Sequence, residues 1–194
     1  MELCGEHFRI NVDPSKGQGC FYEVLAKTHE SMMTLLSYHC KILVVQFSFN
    51  PCENLPTNAP ISRLVAVIKR RLCRRYKFAR LVTGWVRETA GTGFPHYHVV
   101  LMLDGNKVNR QGGVMELVKE ILESRGYPAP HFTTKTHMIS RSDHSAFAKA
   151  FYHLSYLAKV NTKGSRPKCT NDYSFSRLQL KEPIITTHND RTSC

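Results

Sequence analysis

The chain has 194 residues, enough for one well-buried core, and no shift in composition along it calls for two. No apolar run reaches the length a bilayer needs and the first thirty residues lack a signal-peptide core, so a cytoplasmic protein that stays out of the membrane is expected. Lys and Arg number 27 against 15 Asp and Glu, a formal charge of +12, which makes polyanions the natural partners.

Residues 1–39 read as a helical extension, because Phe21, Leu25, Met32 and Leu36 recur near helical spacing between Cys20 and Tyr38. Lys41 to Asn50 follows as a buried strand: its middle is β-branched and aromatic, and Pro51 ends it. Two prolines make Asn54 to Pro60 a loop. Ile61, Leu64, Val65, Val67, Ile68, Leu72 and Tyr76 then trace one face of a helix, whose other face carries Lys69, Arg70, Arg71, Arg74 and Arg75. No acidic residue is interleaved with that cluster, so it is expected to bind phosphates, as is the later group Lys159, Lys163, Arg166 and Lys168.

A strand over Leu81 to Glu88, a turn marked by Gly91 and Gly93, and a strand from Pro95 to Leu103 come next, closed by the turn Asp104-Gly105-Asn106. Val114 to Ser124 is helical by spacing, and Thr133 to Ser140 is expected as a fourth strand. Ser142 or Asp143 can cap a last helix, Ser145 to Lys159, after which 165–194 reads as a loop-rich tail. The order suits a single α+β domain over 1–194, a ferredoxin-like or RRM-like sandwich with a mainly antiparallel sheet and flanking helices. The seven Cys, at 4, 20, 40, 52, 73, 169 and 194, include no Cys-x-x-Cys pair, so free thiols are expected rather than disulfides or a thiolate zinc site.

The residues with most chemical content lie on the strand after the glycine turn. Side chains alternate along a strand, so His96 and His98 share one face while Tyr97, Val99 and Leu101 share the other and can enter the core. Two imidazoles presented together suit a metal ion. If residues 89 to 95 form a hairpin loop, Glu88 faces His96 across the ladder and adds a carboxylate to the pair. Such a donor set leaves coordination positions open, as a catalytic ion requires. On the last helix Phe147, Phe151, Leu154 and Ala158 make a buried stripe, while Tyr152, Tyr156 and Lys159 cluster on the opposite side. A tyrosine hydroxyl can attack phosphorus when a metal polarises the phosphate, and Lys159, one turn after Tyr156, can offset the developing charge.

Together these segments resemble the HUH endonucleases, whose ordered motifs are an apolar strand, a His-hydrophobe-His and a Tyr-x-x-Lys on a later helix. Here they stand as Ile42 to Pro51, His96-Tyr97-His98, and Tyr156 to Lys159. Trp85 to Glu88, Phe94 to His98, Ser155 to Lys159 and Thr162-Lys163 are similar to rolling-circle replication initiators of the filamentous-phage and prophage-island type. The similarity covers roughly residues 40 to 165, and its motif order differs from that of relaxases, whose nucleophilic tyrosine comes first.

The resemblance implies Mg²⁺ or Mn²⁺ held by His96, His98 and Glu88, with Tyr156 as primary nucleophile and Tyr152 as a second one. It also implies a 5′-phosphotyrosine intermediate, single-stranded DNA or a hairpin origin as partner, and unwinding and extension by host helicase and polymerase. Arg70, Arg71, Arg74, Arg75 and Lys163 would track the DNA backbone. A related transposase, a zinc hydrolase and a non-catalytic nucleic-acid-binding module are the alternatives that the residues leave open.

Overall fold

The central strand positions everything else in the molecule. A computed structural model of the chain describes residues 1–3, 5–12, 19–51, 57–88, 94–159 and 170–181. Lys41–Phe49 (β3) is apolar along most of its length because helices cover the sheet on both faces, so side chains of both alternating sets are mostly buried. It pairs antiparallel with His96–Asp104 (β5), which in turn pairs antiparallel with Val82–Glu88 (β4). On the other edge of β3 lie His131–Phe132 (β6) and His137–Ser140 (β7), also antiparallel.

Reading the strands in space gives β7, β3, β5, β4, which is the ferredoxin-like arrangement of a βαββαβ unit. Its two crossover helices, Ala59–Tyr76 (α2) and Gly112–Glu123 (α3), cover one face. Leu64, Ile68, Val118 and Ile121 there meet Phe47, Trp85, Tyr97 and Leu101. The opposite face is covered at one end by Tyr22–Tyr38 (α1) and His144–Leu154 (α4), whose Leu25, Leu35, Phe151 and Leu154 pack on Ile42, Val44, Val100 and Met102. The α+β sandwich expected from the sequence is therefore present, with three layers.

Several boundaries differ from the sequence reading, each for a local reason. The fourth strand is split: Thr133 bonds only the Gln46 carbonyl, through its amide and its hydroxyl, while the Thr136 hydroxyl turns to the Gln111 side chain. The expected long last helix stops at Leu154 and tightens into a 3₁₀ turn, Ser155–Ala158. Asp143, not Ser142, caps it by accepting from the Ala146 amide at 2.8 Å. The tail is not all loop: Tyr173–Phe175 (β8) adds an edge strand to β4, and Gly84 permits it, since a Cβ there would lie 2.5 Å from the Phe175 ring. At the other terminus Glu2–Leu3 (β1) and Glu6–His7 (β2) form a hairpin that the sequence reading lacks. It seats Leu3 and Phe8 among α1 and α4, with the Phe8 and Phe151 rings 5.0 Å apart.

Among the described residues no helix is long and apolar enough to cross a membrane. Cys20, Cys40 and Cys73 are free thiols. The glycine turn at 91 and 93, Lys163 and the rest of the second basic group after Lys159 lie outside the described residues.

Candidate active site

The face covered by α1 and α4 changes character along β5. From Met102 to Val100 it is buried and apolar, and the next same-face positions are His98 and His96. The register sets Glu88 opposite His96, as the assumed hairpin requires, and Ser48 opposite His98. Glu88 Oε2 lies 3.1 Å from His98 Nε2, with both side chains almost out of solvent. The two imidazole centroids are 4.5 Å apart at 79°. His96 Nδ1 is hydrogen bonded to Asn50 Oδ1, just beyond the end of β3. His131 stands across Ser48 on the far side of β3, close enough to act electrostatically on His96.

Burial pushes the His96 pKa down first, and His98 and His131 push it further down against the opposing pull of Glu88. A neutral ring results, which is the form that can donate a lone pair to a metal. The donor set fits a divalent ion: two imidazole nitrogens and a carboxylate oxygen on one sheet face. Asn50 occupies Nδ1 of His96 and so orients Nε2 as its ligating atom, while His98 Nε2 would exchange its hydrogen bond with Glu88 for a shared ion. Among the described residues, no three His, Cys, Asp or Glu side chains are already converged around one ion position. Glu88 and His98 would have to leave their mutual hydrogen bond to form the site.

The 3₁₀ turn after α4 lies over this group. Ser155 explains the tightening: its buried hydroxyl donates to the Tyr152 carbonyl at 2.7 Å and accepts from the Asn11 amide at 2.7 Å. Leu157 and Ala158 are drawn into the core, the Ala158 carbonyl accepts from Phe21 at 2.8 Å, and Lys159 bridges to Cys20. Tyr156 is thereby left outside, 36% exposed, with its ring centroid 6.1 Å from that of His98. The Lys159 ammonium lies 4.2 Å from the Tyr156 ring centroid, a cation–π contact on the ring face.

The structure does not treat the two tyrosines alike. An α-helix advances about 100° per residue and a 3₁₀ turn about 120°, so the tightening rotates Tyr156 further away from Tyr152 than a continuous helix would. Tyr152 makes its ring contacts with His153 and with the Arg9 guanidinium, 5.9 Å from its centroid, and not with the histidines of β5.

The arginine cluster is not brought to the site either. Arg70, Arg71, Arg74 and Arg75 are exposed on α2, on the other side of the sheet from His96 and His98. The helix also starts near the Asn50 end and runs away from it, placing these residues on the order of 15–25 Å along its axis.

Asn50, Ser48 and His131 went unread in the sequence. A signal existed for the first two: Gln46, Ser48 and Asn50 are polar at every second position of an otherwise apolar strand, so they share the histidine face. His131 carries no such pattern. Compared with family models, curated protein sequences and solved structures, the chain finds no match.

Proposed function

We propose that this chain is a metal-dependent, single-strand DNA nicking and joining enzyme of the HUH class, acting as an initiator of rolling-circle replication. The observation that carries the reading is the juxtaposition of Tyr156 with the group His96, His98 and Glu88, which neighbour one another on one face at one end of the sheet. A divalent ion, Mg²⁺ or Mn²⁺, would supply Lewis-acid polarisation of the scissile phosphate. His96, His98 and Glu88 would hold that ion, with Asn50 orienting the His96 ring through Nδ1. Tyr156 Oη forms a bond to phosphorus as the bond to the 3′ oxygen breaks. The phenolic proton leaves and the departing 3′ oxygen gains one, so that a 5′-phosphotyrosine and a free 3′ hydroxyl result. The reverse step rejoins the strand without external energy. The high basic charge supports a polyanionic substrate, and single-stranded DNA or a hairpin origin, with helicase and polymerase from the host cytoplasm, is the expected setting.

Incubation of the protein with end-labelled single-stranded origin-type oligonucleotides and Mn²⁺ should give a covalent adduct that denaturing gels retain and mass spectrometry maps to Tyr156. Tyr156→Phe should lose the adduct without losing its fold. Binding without any cleavage across a broad oligonucleotide library would favour the non-catalytic module instead, and an undiminished adduct in Tyr156→Phe would displace Tyr156 from its role.

A further inference from the structure

Tyr152 has the chemistry of a second nucleophile in sequence but stands in different surroundings. It lines a cavity of about 510 Å³ together with His7, Phe8, Arg9, Ala148 and Lys149, on the outer side of α4 where the N-terminal hairpin packs. Among the described residues, none that lines it is acidic. Two cations, an imidazole and two aromatic rings thus surround a recess open to solvent. Arg9 sits toward the Tyr152 ring at 5.9 Å, and Lys149 precedes Tyr152 by one helical turn. The positive field extends past the rim, since Lys135 and Lys149 both act on the neighbouring pair His137 and His153, whose nitrogens are 2.8 Å apart.

We infer that this recess is a single-stranded DNA subsite in which Tyr152 stacks on a base while Arg9 and Lys149 neutralise the adjoining phosphates. The inference rests on the reading of the protein as one that handles single-stranded DNA, and it assigns Tyr152 a binding role in place of the second cut. Charge complementarity selects the occupant: an apolar peptide would leave Arg9 and Lys149 unmatched, whereas a nucleotide offers a flat π-face for Tyr152 and an anion for each cation. Position agrees with it. Lys149 and Tyr152 lie one turn apart on α4 and Tyr156 follows on the 3₁₀ turn, so a strand lying along the end of α4 runs from the recess to the ring of Tyr156 on the order of 10 Å away. The N-terminal hairpin acquires a purpose as well, because it brings His7 and Arg9 to the recess beside Lys149 and Tyr152.

The test uses the full chain in chelator, with fluorescence anisotropy of a labelled deoxythymidine oligomer, so that binding is read without cleavage. Tyr152→Phe should keep wild-type affinity, since stacking needs the ring and not the hydroxyl. Tyr152→Ala should weaken binding about tenfold or more. Arg9→Ala and Lys149→Ala should each lower the slope of log affinity against log salt by about 0.7. In Mn²⁺, Tyr152→Phe should still form all of its adduct on Tyr156. Unchanged affinity in Tyr152→Ala with an intact melting transition overturns the inference, as does adduct on Tyr152 in the wild type. A protein that binds through Tyr152 and never cuts sinks the nuclease reading alone; one that cuts but ignores Tyr152→Ala sinks this subsite alone.

Discussion

β5 sends its odd and even residues to two faces of one sheet, and the two faces end differently. Toward α2 and α3 the apolar contacts continue to the strand's first turn, where Tyr97 is fully buried with its ring 5.8 Å from Phe49 and 5.9 Å from Trp85. Toward α1 and α4 the apolar layer stops after Val100, and His98, His96, Glu88, Ser48 and Asn50 take over. The difference shows how a site is made within a stable fold. One face anchors the strand ends, so the other can hold polar groups in place where the covering helix has tightened into a turn that buries Leu157 and Ala158 and leaves Tyr156 facing the histidines.

The largest expected effect is on the polar face. His98→Gln keeps an amide for Glu88 yet replaces an imidazole nitrogen, so metal-dependent cleavage should fall at least ~100-fold while the melting temperature moves by no more than about 2 °C. A stability loss as large as the activity loss would show that the two faces are not separable. The converse change, Tyr97→Ala, removes the anchor and should cost roughly 3–5 kcal/mol in urea unfolding. Gly84→Val tests the sheet edge: its added methyls meet the Phe175 ring, and a loss of about 1–3 kcal/mol should follow, with β8 displaced from β4.

A smaller effect concerns His137, whose pKa is pushed down to about 4 from 6.5 by burial first, then by His153, Lys149 and Lys135. Folding favours its neutral ring, so this stabilisation is complete above pH 6.5 and is lost as pH falls toward about 4. Melting curves should therefore drop across that window, and His137→Gln should flatten part of the drop. The smallest effect sharpens the contrast from outside the site. Replacing Arg70, Arg71, Arg74 and Arg75 together with Ala should leave nicking of a short single strand within about twofold, because α2 lies behind the sheet. A collapse of activity would mean that the substrate wraps round to that helix.

Much of this was legible in the order of residues because it depends on short periods. Alternation by two placed His96 and His98 on one face and Tyr97 on the other, and helical spacing marked Phe147, Phe151 and Leu154 as the buried stripe of α4. An assumed hairpin over 89–95 aligned Glu88 with His96, and the ladder has that register. The same local signals could not show that Ser155 would turn its hydroxyl back to Tyr152 and end the helix. They also could not say that the arginine face of α2 points away from the histidines: periodicity reports which side of a helix is polar, never where that side faces.

Composition and periodicity determined the α+β class, the basic character and the candidate trio of His96, His98 and Glu88, because each follows from residue type and near-neighbour spacing. Only the tertiary structure turned Tyr152 away from the histidines that Tyr156 faces, brought His131 near them and set Arg9 beside Tyr152. Those are contacts between segments remote in sequence, decided by how helices and strands pack once their apolar faces are buried together, and no local pattern along the chain encodes them.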